Sequence, residues 1–274
     1  MLALKTSSER NVFLLYPMFD FSANQIMESI GSLYDDHGWG VGKDDSLVNR
    51  KEKESFDQHH SSPLYGEIMP AGLQHILDKN HMNAASATCL IDLGSGKGKL
   101  ALQAFLTFPN LQWVTGIELS YERFKISKAA ICKLYYLNQK YFALNEGKDF
   151  IQLVLLRDGK RKLTIFNGNF FDYEMLVRGA DIILCETELR ESNQSKFVQL
   201  VKNMRRDARL LMYDSLGSFP EMKHVMTVGN HQYGQLLNVK TKQTNVFLQE
   251  IKPHDRYRAS WSEKAKFGIW KVLY

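Results

Sequence analysis

The run Leu90-Ile91-Asp92-Leu93-Gly94-Ser95-Gly96-Lys97-Gly98-Lys99 constrains the fold of this 274-residue chain more than any other stretch. It reads as a short apolar strand ending in an acid, three glycines on alternate positions, and an apolar helix from Lys99 to about Phe108. Glycine tolerates positive φ and lets a ligand approach the backbone, so such a loop forms a cradle at a strand's carboxyl end. The first amides of the following helix then point at whatever the loop holds. A second strand, Gln112 to Gly116, ends in Ile117-Glu118, where a carboxylate can accept both hydroxyls of a ribose. Strand, cradle, helix, strand and terminal acid make a nucleoside-binding half of an α/β sheet.

Two cofactor classes compete for this unit. Dinucleotide sites usually read G-x-G-x-x-G, with the glycines shaped around a pyrophosphate. Here the spacing is G-x-G-x-G, and Asp92 sits inside the cradle, where its charge repels a pyrophosphate. An acid there suits a ligand with a cationic amino acid end, such as S-adenosyl-L-methionine. The D-L-G-S-G-x-G pattern resembles motif I of the class I methyltransferases. That resemblance implies S-adenosylmethionine as cofactor and a Rossmann-like seven-stranded α/β sheet. A nicotinamide or flavin dinucleotide, or a purely structural glycine turn, are the competing readings.

Composition fits one large α/β domain with an appendage: 44% hydrophobic and 24% charged residues are ordinary for a globular chain of this length. No apolar stretch approaches the ~20 residues of a membrane helix. Asn11 to Tyr16 is too short for a secretory signal and is interrupted by Pro17. Cys89, Cys132 and Cys185 have no metal spacing; Cys89 and Cys185 fall on expected buried strands, as small core residues in a reducing compartment. The pair His59-His60 has no partner at ligand spacing and reads as a polar loop.

Two regions are expected. Residues 1–60 form an N-terminal helical and loop region, with an amphipathic helix from Ser22 to Tyr34 and a polar loop from Asp35 to His60. Residues 61–274 form the catalytic domain. There Pro70 to Lys79 reads as a helix, and Ser120 caps a helix running to about Asn145. Phe150 to Phe166 reads as a hairpin with Asp158-Gly159 at its turn. Ala180–Cys185 and Arg209–Tyr213 read as strands, with a helix at Gln194–Met204 between them, and the last fifty residues alternate short strands with turns.

Three further signals narrow the reading. Ser62-Pro63-Leu64-Tyr65-Gly66-Glu67 precedes the core and is followed by Ile68 and an apolar helix. Leu102-Gln103 follows the glycine loop and Gly116-Ile117-Glu118 the next strand. Ala259-Ser260-Trp261-Ser262 lies near the C-terminus. In this order they resemble the disruptor-of-telomeric-silencing family, histone lysine methyltransferases that lack a SET domain. The resemblance spans residues 62 to 274 and implies a nuclear enzyme acting on a histone, with H3 in the nucleosome core as substrate; without it the chain reads as cytoplasmic. It further implies that Tyr65, Gly66, Glu67, Ile68, Asp92, Leu93, Gly94, Ser95, Gly96, Lys97, Gly98, Lys99, Glu118, Asn169 and Phe170 hold the cofactor.

The departures fall close to the chemistry. The family's G-D-F turn is Gly168-Asn169-Phe170 here, offering an adenine amino group an amide oxygen in place of a carboxylate. The polar residue closing the glycine loop, typically Gln, is Lys99. A pair of asparagines after the fourth strand is replaced by Cys185-Glu186-Thr187-Glu188. The family's late tyrosines are replaced by Phe267-Gly268-Ile269-Trp270.

Methyl transfer from a sulfonium asks chiefly for alignment, which can contribute roughly 7–11 kcal/mol. A lysine acceptor must also lose its proton, against a pKa of ~10.4 in water. A narrow apolar channel lowers that pKa by desolvation, and aromatic walls can hold the stem. Glu186, Trp261 and Phe267 are the catalytic candidates, with Trp270 reading more readily as a core aromatic. The net charge of +5 and basic clusters at Arg157/Lys160/Arg161/Lys162, Lys202/Arg205/Arg206/Arg209 and Arg256/Arg258/Lys264/Lys266 suit nucleosomal DNA or an acidic partner. Each cluster alone also reads as a solvated face. Two other readings stand beside the leading one: a class I methyltransferase of another protein or RNA, and an inactive cofactor fold that binds nucleic acid.

Overall fold

Parallel strands buried on both faces build the centre of the molecule. In the computed structural model, residues 22–35, 39, 48–157, 159–212, 222–229, 235–238, 243–246 and 266–272 are described. Strands β1 (Cys89–Leu93), β2 (Trp113–Glu118), β5 (Lys162–Asn167), β6 (Ile182–Cys185) and β7 (Arg209–Met212) are almost continuous apolar runs, as two-sided burial requires. Strand β8 (Met222–Gly229) and strand β11 (Lys266–Val272) complete this part of the sheet. The order β5-β2-β1-β6-β7-β11-β8, with β11 antiparallel to both neighbours, is the expected seven-stranded arrangement.

Strands β3 (Phe142–Glu146) and β4 (Phe150–Leu155) add an antiparallel pair beyond β5, making nine strands among the described residues. The β4–β5 hairpin is the one read from alternation around Asp158-Gly159. Strand β3 corrects the sequence reading, in which a helix continued to about Asn145. Helix α5 (Tyr121–Leu137) stops earlier, at Asn138, whose Nδ2 donates to the Leu134 carbonyl. The Phe142–Glu146 register against β4 then outcompetes helix propensity. Strands β9 (Gln235–Asn238) and β10 (Gln243–Val246) form a separate antiparallel pair.

Side-chain caps set several helix starts. Ser22 and Gln25 form a capping box at α1 (Ala23–Gly31), and the Asn49 side chain accepts from the Glu52 amide at α2 (Arg50–Gln58). Helix α2 corrects the polar loop expected across this stretch. Its single buried apolar side chain, Phe56, gives no periodic signal, so only the cap marked it. Helix α3 (Pro70–Ile76) starts on its proline, and α4 (Lys99–Thr107) rises out of the glycine loop. Helices α6 (Glu174–Arg178) and α7 (Glu191–Val201) flank β6.

Two apolar clusters fill the faces of the sheet. The larger joins β1, β2, β4 and β5 to α3, α4 and α5, and also takes in Ile26, Ile30, Leu33 and Tyr34 from α1 and the turn after it. The N-terminal helix therefore shares a core with the sheet. The smaller cluster packs Phe170, Val177, Phe197, Leu200 and Val201 against Ile91, Ile183 and Leu210. Arg161, expected among solvated basic residues, is 4% exposed. Its guanidinium donates to the carbonyls of Phe105, Phe108 and Leu111, so it fastens α4 to β5. No helix of the described residues is long and apolar enough to cross a membrane.

Candidate cofactor and methyl-transfer site

Four neighbouring parallel strands end on one rim, and the nominated residues that follow these strands gather there. β1 runs into the glycine loop, β2 ends at Glu118, β5 leads to Gly168-Asn169-Phe170, and β6 leads to Glu186. Ligands of open α/β sheets bind at such carboxyl ends. A cleft partly open to solvent is lined there by Tyr65, Gly66, Gly94, Glu118, Asn169, Phe170 and Glu186 among others.

The glycine loop has no room for side chains. Gly94, Gly96 and Gly98 have φ of +75°, +56° and +72°. A Cβ on Gly94 would lie 1.8 Å from Thr187 Oγ1, and one on Gly96 would lie 2.5 Å from Tyr65 Cε2. Gly94 and Ser95 both donate to the Ile117 carbonyl, tying the loop to β2. Leu93 is fully buried, so its contribution is to anchor the strand end. The Tyr65 ring thus covers the loop from above. Lys97, 1% exposed, has its Nζ 4.8 Å from the centre of that ring.

Behind Tyr65 lies a buried ionic knot. Lys99 Nζ is 2.6 Å from Glu67 Oε1, with the two side chains 2% and 6% exposed, and the Tyr65 hydroxyl donates to the same oxygen. The rings of Tyr34 and Trp39 stand 5.2 and 5.3 Å from Lys99 Nζ, so the N-terminal region closes the knot from outside. Glu67, Lys99 and the buried Ile68 therefore sit behind the cleft wall, supporting it, whereas Tyr65 and Gly66 face it.

The rim is rich in buried acid. Glu118 accepts from the amides of Gly96 (2.7 Å) and Ser120 (2.8 Å), and Arg123 Nη1 stands 3.9 Å away. Burial raises its carboxyl above the usual range, opposed chiefly by Arg123. Asp92 is 1% exposed and its Oδ2 has no hydrogen-bond partner. Burial, reinforced by Glu118, pushes Asp92 up to about 7. Glu186 has both carboxylate oxygens buried without a hydrogen-bond partner, although the Ile68 amide faces it. Burial, then the charges of Asp92 and Glu67, push it well above the usual carboxylate range.

These features fit S-adenosylmethionine. The cofactor carries a sulfonium and an ammonium, and this cleft is lined by the buried, partnerless carboxylate of Glu186 and by Glu118 beside the bare backbone of Gly94. Asn169 caps the short turn after β5, its Oδ1 accepting from the Phe171 amide at 3.1 Å. One lone pair of that oxygen is thereby used. Phe170 lies edge-on to Phe197, with ring centres 6.2 Å apart, which fixes it as a wall of the cleft.

The remaining nominated residues are placed less fully. Trp261 lies outside the described residues. Phe267 is described by its backbone: Gly268 pairs with Met212, the last residue of β7, so β11 enters the sheet at the cofactor rim. Several cleft residues had not been nominated, Phe56, His59 and Arg123 among them. Phe56 and His59 come from the end of α2, and Arg123 from the first turn of α5. The Arg123 guanidinium stacks 4.8 Å from the Tyr65 ring and 5.5 Å from Phe56, and donates to the Pro63 carbonyl. Its only sequence signal is its position one helical turn beyond Glu118 and the Ser120 cap.

The family model for histone methylation protein DOT1 matches residues 47–245. Similar solved structures include an O-methyltransferase from Bacillus cereus in complex with SAH, at 10% identity and TM-score 0.41, covering 92% of this chain and 100% of that one. Cofactor-bound Rv0187 from MTB is similar at 10% identity and TM-score 0.42, covering 89% and 96%. TrmN from Thermus thermophilus is similar at 11% identity and TM-score 0.41, covering 73% and 48%. No curated protein matches the chain.

Proposed function

The chain belongs to the histone methylation protein DOT1 family, class I methyltransferases that use S-adenosyl-L-methionine, and on that premise we propose that it methylates a histone lysine, on H3 in the nucleosome core. The observation that carries the reading is Glu186, a buried carboxylate without a hydrogen-bond partner at the cleft. An orphaned buried acid is costly unless a ligand satisfies it. A substrate ammonium is such a ligand.

S-adenosylmethionine, when bound, supplies an electrophilic methyl group on a cationic sulfur. The glycine loop would hold the cofactor's amino acid end beside Asp92, and Glu118 would offer its free lone pairs to the ribose hydroxyls. Tyr65 closes over the loop, and Phe170 walls the adenine side. Glu186 receives the lysine side chain in its ionised form and takes one proton from Nζ, becoming a carboxylic acid. Burial and the charges of Asp92 and Glu67 shift it upward, so its carboxylate is a stronger proton acceptor than an ordinary one. The freed lone pair of Nζ would then be available for the methyl group that the cofactor supplies. Trp261 and Phe267 are proposed as walls of the lysine channel.

The basic surface and the family support a nuclear setting and contact with nucleosomal DNA. Residues 1–60 are proposed as a support for the cofactor loop, through Tyr34, Trp39 and Phe56. Incubating the chain with labelled cofactor and, in parallel, intact nucleosomes, free histones and total RNA tests the reading. Label on H3 lysine in nucleosomes is expected; label in RNA alone overturns it.

A further inference from the structure

At the opposite rim of the sheet, three metal-ligating side chains meet. Asp78 follows the end of α3, between His75 in its last turn and His81 in the loop leading to β1. His81 Nδ1 is 2.7 Å from Asp78 Oδ1, and His75 Nδ1 is 3.6 Å from Asp78 Oδ2. One ligand atom from each residue lies within 4.8 Å of the other two. The two imidazole rings have centres only 4.1 Å apart. None of these groups touches the cofactor cleft.

We propose that His75, Asp78 and His81 bind one divalent transition cation of the zinc type, independently of the methyl-transfer site. Two imidazoles and a carboxylate are a borderline donor set that suits zinc, and three protein ligands leave a fourth position for water. Zinc–nitrogen and zinc–oxygen bonds of about 2.0–2.2 Å place tetrahedral neighbours about 3.4 Å apart. The His81 and His75 separations of 2.7 and 3.6 Å run to different oxygens of Asp78, so a single shared ligand oxygen needs His75 to swing inward. His75, 22% exposed, can adjust its rotamer at the surface, whereas His81, 2% exposed, is held by packing.

The local hydrogen bonds leave His81 undecided. Asp78 Oδ1 accepts from the amides of Asn80 (2.7 Å) and His81 (3.1 Å), which closes the turn and fixes the carboxylate. His81 Nε2 is buried without a hydrogen-bond partner. A ligating histidine usually has its tautomer set by its other nitrogen. Here nothing on the Nε2 side does so, and Nδ1 can either donate to Asp78 or present a lone pair to a cation. The C-terminal end of α3 adds the negative end of a helix dipole. Arg209, which donates to the His81 carbonyl, is the fixed positive charge nearby, so the carboxylate of Asp78 is needed to balance the site.

Cobalt(II) titration of the full chain, followed by visible absorption, is the test, with zinc competition and thermal unfolding alongside. One equivalent of cobalt should give the d–d bands of a low-symmetry site, zinc should displace it, and zinc should raise Tm. His75→Ala and Asp78→Asn should lose the bands and the Tm rise. The amide of the Asp78→Asn variant keeps an oxygen for the turn amides, so its apo form should unfold near the wild-type temperature. Absence of the bands in wild type, or equal binding by wild type and both variants, overturns the proposal.

Discussion

The Tyr65 ring covers Gly96 so closely that a Cβ there would lie 2.5 Å from Tyr65 Cε2. Gly96 also has φ +56°, which strains any L side chain. Gly96→Ala must therefore displace Tyr65 or bend the loop. The Gly96 amide donates to Glu118, so a bent loop also loses the ribose carboxylate's anchor. We expect cofactor affinity to fall at least tenfold by calorimetry, with about 1–3 kcal/mol lost from stability. A Gly96→Ala variant with wild-type affinity would show that the loop opens independently of Tyr65.

Lys99 and Glu67 form a pair that is cheap to keep and expensive to halve. Removing one partner of a buried ion pair costs about 3–5 kcal/mol, whereas replacing both by apolar groups is often neutral. Glu67→Gln should therefore destabilise more than the double variant Glu67→Gln/Lys99→Met, read by urea unfolding. Because the Tyr65 hydroxyl shares Glu67 Oε1, Glu67→Gln should weaken cofactor binding as well. Additive losses in the double variant would refute the coupling.

Acid at the cofactor rim gives pH dependence a definite sign. Burial and Glu118 raise Asp92 from its ordinary 3.8 to about 7, and Glu118 is shifted in the same direction. The native state then binds protons that the unfolded chain releases, so this stabilisation is complete below about pH 4 and is lost as pH rises through about 7. The cationic cofactor reverses the preference by favouring ionised Asp92. Its affinity should increase between pH 6 and 8, and so should the Tm rise it produces. Asp92→Asn should bind weakly and without that slope. A wild-type affinity that falls over the same range would remove Asp92 from the ammonium site.

Much of the fold was legible because its centre is made of short-range signals. The alternating glycines, the Glu118 strand end and the Ser120 cap each act within a few residues, and all three meet at one rim of the sheet, where Glu118 accepts from Gly96 and Ser120 caps α5. What escaped was decided at long range. Asn138 to Glu146 has helix-compatible residues, and only pairing with β4 makes Phe142–Glu146 a strand. Helix α2 carries one buried apolar side chain, Phe56, which packs beneath Arg123. Arg123 itself reads as an ordinary basic helix residue until Tyr65 arrives from far along the chain. Arg161 looks like a solvated charge beside Lys160 and Lys162, yet it is buried against three carbonyls of α4 and the segment after it. Glu186 was legible as a departure from relatives; its burial and its missing partners were not.

Glu186→Gln separates proton acceptance from shape. Glutamine preserves volume and offers an oxygen, but it accepts no proton at neutral pH. If Glu186 takes the lysine proton, kcat on nucleosomes should fall by roughly 10²-fold or more, the range of general-base contributions. Cofactor affinity should change by only a few-fold, because Asp92 and Glu118 remain. The rate in the variant should climb with pH, as solvent base replaces the carboxylate. Apo stability at pH 8 should rise, since the variant removes a carboxyl that burial, Asp92 and Glu67 all disfavour in its charged form. Unchanged kcat with a wild-type pH profile would leave Glu186 a wall of the cleft and move the proton acceptor elsewhere.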